Sequence, residues 1–395
     1  MANVLGNYNP TFFANEALIV LYKALGLATR VHLGYDEERR TFNKGDTINI
    51  RGPGKFAAAS APGAIQDIKS RSVSIQLTNH QEVRFELTDK HMAYTGDRII
   101  REHIAPAAFA LADKIDQDLA TLVTTVPHSY LEPTPFTAAT IAGILQTRKK
   151  LFDLGVPMKD ASQMSFMVGG KEEADLLALA AFSQQQGAGD TGVATQISGL
   201  LGPKYGFQFF ANQNRGTVAY ADISDFAGTI TEPAAVGDTS ITVGGLGAAE
   251  VYKKGTIIKF DVSGLEYAIT ADATMSSGAA VVSINPPIRV AEADNAAITI
   301  QAGMDLTQSA LNNNNVAFHR NWAALAFARL PDYGEFANRL GQDITSVQDP
   351  VTGLSVRAKI FGDGTNSKIV VVLDALYGFK ELDADLACRY EVKTS

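Results

Sequence analysis

Apolar residues recur at steps of four, four, three, four, four and three through Ile100, Ile104, Ala108, Leu111, Ile115, Leu119 and Leu122. That spacing is a single helical stripe, and it predicts a helix over residues 97–126, capped by Asp97 and stopped by Pro127. At ~1.5 Å per residue it spans roughly 40 Å, far beyond an average globular helix. Pro106 lies inside it and removes one backbone hydrogen bond, so a kink or a later true start is expected there. Phe12, Phe13, Leu18, Ile19, Leu21, Tyr22 and Leu25 form a second amphipathic stretch, ended by Gly26. A third helix is predicted over 137–154, with Thr137 as cap, Ile141, Ile144, Leu145, Leu151 and Leu154 as its buried stripe, and Gly155 as its stop. A fourth is predicted over 171–182.

Elsewhere the period is two. Val73, Ile75 and Leu77, then Val83, Phe85 and Leu87, alternate with polar residues and predict a hairpin turning at 78–81. Short strands are expected at 47–50, 165–168 and 205–211. From 226 to 302 only strand and turn signals occur, with strands at 239–243, 256–262, 265–270, 280–284 and 297–300. Gly237-Asp238, Ser263-Gly264 and Ser277-Gly278 punctuate them. This stretch predicts a small all-β barrel or sandwich inserted in a mixed α/β chain. Asn312 to Asn315 reads as a linker, 316–319 as a strand, and 321–329 as a short helix ending before Pro331. Residues 344–348 and 354–360 flank a hairpin turn, 369–373 is apolar on both faces and reads as a central strand, and Cys388 lies on the apolar face of a last strand.

The 395 residues suffice for two or three domains, and 46% hydrophobic with 19% charged residues is ordinary globular composition. A net charge of −8 argues against wrapping nucleic acid through phosphate neutralisation. The single cysteine allows no intrachain disulfide and fits a reducing compartment. No stretch reads as a membrane span or a signal peptide.

Four stretches, taken in order with the β insertion, resemble the P22-type coat protein family, the tailed-bacteriophage major capsid proteins of the HK97 fold. They are Tyr35-Asp-Glu-Glu running into Gly45-Asp-Thr-Ile-Asn-Ile-Arg51-Gly-Pro53; Ile104-Ala-Pro106-Ala-Ala leading to Asp116 and Asp118-Leu119; Val316-Ala-Phe-His319 running on to Ala326-Phe-Ala328-Arg-Leu-Pro331; and Leu376-Tyr377-Gly378. The resemblance implies an α+β, HK97-like capsid fold. Residues 1–50 would be an N-terminal arm, 51–95 an extended E-loop, 96–154 with 331–395 a peripheral domain holding the spine helix, 155–225 with 303–330 an axial domain, and 226–302 an inserted β domain. That domain would either brace the shell or serve as a surface domain for an outside partner. The implied function is a non-enzymatic coat protein. Its pentamers and hexamers would close an icosahedral shell in the bacterial host cytoplasm, giving a virion. The implied partners are copies of itself, a scaffolding protein, a portal protein at one vertex and enclosed double-stranded DNA bound without sequence specificity, with no membrane. The competing reading is a β-domain-bearing surface binding protein, such as an adhesin or carbohydrate binder.

Chemistry-bearing patterns are weak. Gly199-Leu-Leu-Gly202-Pro-Lys204 has the wrong spacing for a phosphate loop, and no serine or threonine follows the lysine. Gly244-Gly245-Leu-Gly247 lies between strands, which disfavours a dinucleotide loop. The six histidines show no zinc-ligand spacing, and His319 reads as a hydrogen-bonded core residue. Asp113, Asp116 and Asp118 cluster on the long helix and read as a solvated face or as ion pairs with Lys114, ahead of the alternative of a cation site. No catalytic, cofactor or metal residues are expected. The residues expected at subunit contacts are Phe12, Phe13, Arg71, Glu82, Arg84 and Glu86; the last three alternate in sign on one strand face, where a merely solvated face is the alternative.

Overall fold

The computed structural model describes residues 14–15, 17–19, 21, 25–33, 47–52, 60–61, 71–88, 97–132, 138–184, 195–215, 217–219, 226–247, 250–300, 311–332, 342–348, 354–363 and 368–393. Two compact units divide the chain: Met1–Asp116 with Ala323–Leu382, and Gln117–Trp322 with Asp383–Ser395. This partition cuts across the segments implied by the coat-protein resemblance, because 323–330 falls with 331–382 while 383–395 falls with the middle of the chain.

The first unit is organised on the strand Lys368–Glu381. Its residues 368–374 pair antiparallel with Ser355–Asp363, which pairs in turn with Gln342–Gln348. Asn79–Thr88 pairs with residues 368–377, and Ala323–Ala328 with 376–381. Paired on both sides, 369–373 is the central strand its apolar run predicts. Gln342–Gln348 and Ser355–Asp363 pair antiparallel, with Val347 opposite Val356, and the predicted turn at 349–353 lies outside the described residues. The hairpin predicted over 72–87 does not form. Arg71–Gln76 pairs instead with Thr47–Gly52, and Asn79–Thr88 joins the larger sheet. Leu77 and Thr78 pass extended between them, with Leu77 buried in a cluster of Ile48, Ile50, Ile75, Ala324, Ala326 and Ala328. Each strand gains its partner from elsewhere in the chain.

Residues 321–329 are not a helix. Arg320–Trp322 makes one 3-10 turn, and Ala323–Ala328 is a strand buried at all six positions. Alanine favours helix intrinsically, but a strand covered on both faces tolerates small apolar residues at every position, and tertiary context decides. His32 binds the same strand: its N–H donates to the Ala323 carbonyl at 3.1 Å and its carbonyl accepts from Leu325 at 3.0 Å.

Helix α1 covers Asp97–Ala120 and continues as a 3-10 segment, Thr121–Thr125. It runs through Pro106, so the proline is not its start. Ile104, Ala108, Leu111, Ile115 and Leu119 are buried as the stripe predicts. Asp116 departs from the expected solvated face. It is buried and accepts the backbone N–H groups of Gly26, Leu27 and Ala28 at 2.6, 3.1 and 3.0 Å. It thereby ties the segment after the first amphipathic stretch, where Ala14, Ala17 and Leu21 are helical and buried, into the first unit.

The second unit is built on a mixed sheet in the order Ser129–Leu131, Ala387–Lys393, Leu311–His319, Met164–Val168, Phe207–Ala211, Pro203–Lys204, with Thr217–Ala219 also on Leu311–His319. Helix α2, Ile141–Asp153, and helix α3, Gly170–Leu177, cover one face of it. The third predicted helix thus starts four residues late, capped by Thr140, whose hydroxyl accepts the Gly143 N–H at 3.0 Å; Thr137 lies outside the described residues. Gly155, at φ +78°, ends the turn as expected. The fourth breaks at Ala178-Leu179 and resumes as Ala180–Ser183. The supposed Asn312–Asn315 linker is strand, opposite Lys393, Val392, Glu391 and Tyr390. Asn315 is buried because its amide is fully used: Oδ1 accepts Gly169 N–H at 2.9 Å and Nδ2 donates to the Tyr390 carbonyl at 3.2 Å.

Between residues 219 and 311 the chain leaves that sheet and forms a closed six-stranded barrel. Ala227–Ile230, Ser240–Gly244, Ala279–Asn285, Glu266–Ile269, Ile257–Phe260 and Ala297–Ile300 follow one another around it. Ile230, Val243, Ile258, Phe260, Tyr267, Ile269, Val282, Ile284, Ile298 and Ile300 fill its core. The first of these strands, and the small pair Val251–Tyr252 with Ala273–Thr274, carry too short an alternation to be read in advance.

Gly378 allows the closest approach in the first unit. A Cβ there would stand 2.1 Å from the Gln76 carbonyl oxygen, a backbone atom that cannot rotate away. Gly378→Ala is expected to lower stability by about 1–3 kcal/mol through overpacking, measured as a reduced denaturant midpoint with an unchanged slope.

Candidate assembly surfaces

The residues singled out for contacts between subunits fall into two groups. Phe12 and Phe13 lie outside the described residues, and Arg71 is placed only by its backbone, opposite Gly52. Glu82, Arg84 and Glu86 are exposed on one face of the five-stranded sheet. Directly opposed residues on neighbouring antiparallel strands share a face, so three rows cross it: Glu82–Asp374–Arg357, Arg84–Val372–Lys359 and Glu86–Val370–Phe361.

Their partners are on this chain. Lys368 Nζ lies 2.8 Å from Glu86 Oε1, and the Arg84 guanidinium sits 5.6 Å from the Phe361 ring centre. A cavity of about 610 Å³ opens beside Arg84, Glu86, Phe361 and Val370. The alternation in sign is therefore satisfied in cis for Glu86, and the pair is an exposed one worth little.

On the same face, where it is covered, is the feature that alternation did not show. Asp374 is fully buried and receives Arg357 through two bonds, Nε to Oδ1 at 3.0 Å and Nη2 to Oδ2 at 2.6 Å. Lys359 Nζ at 2.7 Å and His80 Nε2 at 3.1 Å complete the shell. Burial alone would raise the Asp374 carboxyl, but Arg357 and Lys359 outweigh it and hold it below the usual carboxylate range. Arg357 also donates to the Pro331 carbonyl at 3.0 Å, tying down the chain after Ala323–Ala328. The available signal was a lone aspartate closing the apolar run 369–373, with Arg357 and Lys359 alternating with the apolar Val356, Ala358 and Ile360 of one strand.

In the second unit, α2 turns part of its predicted buried stripe outward. Leu145 of that stripe is 44% exposed, and Phe152, two turns on and outside the stripe, is 70% exposed. With Val156, Met158, Lys159 and His319 they line an open groove of about 930 Å³. Ile144 and Leu151, each one residue earlier and about 100° round the helix, take the core positions. His319 is buried as expected, and its Nδ1 accepts the Asn321 N–H at 3.2 Å. Cys388 is fully buried, which pushes its thiol up to about 12 and leaves it a packing residue. Among the described residues no three or more His, Cys, Asp or Glu side chains are grouped to hold a metal ion. No described helix is long and apolar enough to cross a membrane.

No protein-family model matches the chain, and no curated relative does. Solved structures do. A structure from Mycobacterium phage Che8 aligns over 93% of this chain and 90% of its own, at 12% identity and a TM-score of 0.51. The capsid structure of the Cyanophage P-SCSP1u aligns over 90% and 85% at 11% identity and 0.45, and the capsid of Ralstonia phage GP4 over 89% and 85% at 10% identity and 0.43. At such identities the first of these establishes a shared fold.

The two ion-pair sites on the charged sheet should separate cleanly in stability. Asp374→Ala strands Arg357 and Lys359 beside an apolar gap and is expected to cost about 3–5 kcal/mol, whereas Lys368→Ala, which breaks the exposed pair, should stay within about 0.5 kcal/mol. Because the folded-state pKa of Asp374 is depressed, its contribution is present above the ordinary carboxylate range and is lost as pH falls through and below it. Urea unfolding of the wild type at pH 7 and pH 3 should therefore show a larger acid loss than Asp374→Asn shows.

Proposed function

We propose that this chain is the major capsid protein of a tailed double-stranded DNA bacteriophage, with an HK97-like fold of the P22-type branch. The observation that carries this reading is the fold shared with the Mycobacterium phage Che8 structure over nearly the whole of both chains. The order of sequence stretches resembling P22-type coats supports the finer assignment, as does a closed barrel lying within the chain. On this reading α1 is the spine helix, residues 1–50 the arm, and 226–302 the inserted domain. Copies of the chain form the pentamers and hexamers of the shell, assembled in the host cytoplasm. A scaffolding protein, a portal and enclosed DNA are its further partners.

The E-loop assignment needs narrowing. Strands Arg71–Gln76 and Asn79–Thr88 are sheet members of their own unit, with Ile75 and Leu77 buried there. A lever reaching a neighbour is then the connection between Thr47–Gly52 and Arg71–Gln76. Ser60 and Ala61 are its described residues, and both are exposed. A neighbour that covers it supplies apolar burial worth ~25 cal/mol per Å², against the entropic cost of ordering the loop.

Expression of the full chain, alone and with candidate scaffolding proteins, followed by negative-stain imaging, tests the reading. Closed particles are expected; a chain that stays monomeric under every such condition overturns it. Replacing residues 54–68 by a short Gly/Ser linker should leave the monomer folded by circular dichroism while abolishing particles. Normal particles from that variant would remove the lever from the proposal but leave the capsid reading standing.

A further inference from the structure

The inserted barrel is not joined to the sheet beside it by an apolar interface alone. On the strands Ile257–Phe260 and Glu266–Ile269, Ile258, Phe260, Tyr267 and Ile269 point into the barrel. The alternate residues Ile257, Ala268 and Glu266 therefore point out. Ile257 and Ala268 are nevertheless fully buried, which marks this side of the barrel as the covered one. Glu266 stands on the same side, and its carboxylate is met by two groups from outside the barrel. His128 Nδ1 lies 3.0 Å from Oε2, and Lys150 Nζ of α2 lies 2.8 Å away.

His128 is the centre of the joint. Its second ring nitrogen, Nε2, lies 3.1 Å from Oδ1 of Asp385, in the turn that precedes the last strand. Asp385 also receives Arg289 Nη1 of the barrel at 2.6 Å. The imidazole is thus clamped between two carboxylates on opposite sides, and its side chain is only 7% exposed. A neutral imidazole can donate through one nitrogen only and would turn a lone pair on the other carboxylate; the imidazolium donates to both. The remaining charged groups around it are accounted for. Lys150 and Arg289 each neutralise one of the two carboxylates, and Arg389 and Glu391 of the last strand pair with each other at 3.6 Å. Arg389 also donates to the Gly255 carbonyl of the barrel at 2.7 Å, while its backbone N–H bonds the His128 carbonyl at 2.8 Å.

We propose that His128 is a protonation-dependent clasp between the barrel and the sheet that carries it, closed while the imidazole is charged and loosened when it loses its proton. The clasp is independent of what the chain assembles into. Burial works against the charged form, and the bonds to Asp385 and Glu266 outweigh it, so the ring titrates above the usual histidine value. Glu266 and Asp385 are correspondingly held below theirs. A raised histidine value means that the stabilisation is complete at and below ordinary histidine pH and is lost as pH rises through the shifted value. The depressed carboxylates lose theirs only in acid. The clasp is therefore expected to be tightest around pH 5–6 and to open on the alkaline side.

Hydrogen exchange read by mass spectrometry on the full chain at pH 6 and pH 9, corrected for the intrinsic rate, tests this. Segments 255–269 and 384–391 should lose tenfold or more of their protection at the higher pH, while strand 164–168 keeps its own. His128→Gln should show the loosened pattern at both pH values. Glu266→Gln, which keeps the shape of the side chain and Asp385 in place, should move the midpoint of the wild-type transition to lower pH. Equal protection of the joint at both pH values in the wild type overturns the proposal, as does a transition of unchanged midpoint in Glu266→Gln; both hold whether or not His128→Gln folds.

Discussion

Buried carboxylates organise this protein. Removing an ionised carboxylate from water costs far more than a fold can spare unless cations or several donors replace the lost solvation. Here the replacements come from distant parts of the chain. Asp374 draws in Arg357, Lys359 and His80. Asp116 draws in three consecutive amides at Gly26, Leu27 and Ala28. Glu132 accepts both the Thr140 and the Tyr390 hydroxyls at 2.5 Å, which fixes the start of α2 against the last strand. Apolar contacts tolerate sliding and alternative partners; a buried carboxylate does not, because a displaced donor leaves a charge unpaired. Each of these sites therefore sets a register that the alternation of apolar residues leaves open.

That division explains what was legible in the sequence. Five of the six strands of the barrel are legible to within two residues at each end, because their apolar positions alternate and glycine-bearing turns separate them. Ser277 and Gly278 both sit at positive φ, as the turn chemistry requires. The stripe of α1 was equally plain. What failed was partnership. The apolar faces of 72–77 and 82–87 were identified correctly, yet the two strands pair with Thr47–Gly52 and Lys368–Glu381. Nothing local distinguishes a hairpin from two strands that part company after a two-residue link. Likewise Asn312–Asn315 carries every mark of a linker, and its strand state depends on the last strand and, at Asn312 and Asn313, on Thr217–Ala219, segments far from it in the sequence on either side.

Burial of polar residues follows the same logic. Asp116 reads as part of a solvated helix face and is buried; Arg389 and Glu391, which alternate with the apolar face of the last strand, are buried as well. Alternation reports that two faces differ in polarity, and it is silent on whether the polar face meets water. In the last strand the polar face meets the barrel, through the Gly255 carbonyl, and the carbonyl of Thr124 at 3.5 Å. The proposed contact residues Glu82, Arg84 and Glu86 show the converse. They are exposed as read; Lys368 of the same chain answers Glu86, and Arg84 sits over the Phe361 ring. On this strand the alternation in sign reports exposure correctly.

The barrel carries the last consequence. A sheet that closes on itself leaves no unpaired edge, and one that fills its own interior needs no help from its host to stay folded. Such a unit can sit between two strands of another sheet at little cost to either, because its stability is settled internally. Its attachment is then the one property left to adjust. An apolar joint would be tight under all conditions in which the host is folded. A joint of His128, Glu266, Asp385, Lys150 and Arg289 is instead weighted by protonation, and each partner in it is replaceable without touching either core. Strength at this seam that varies with proton concentration is a freedom that neither hydrophobic core can provide.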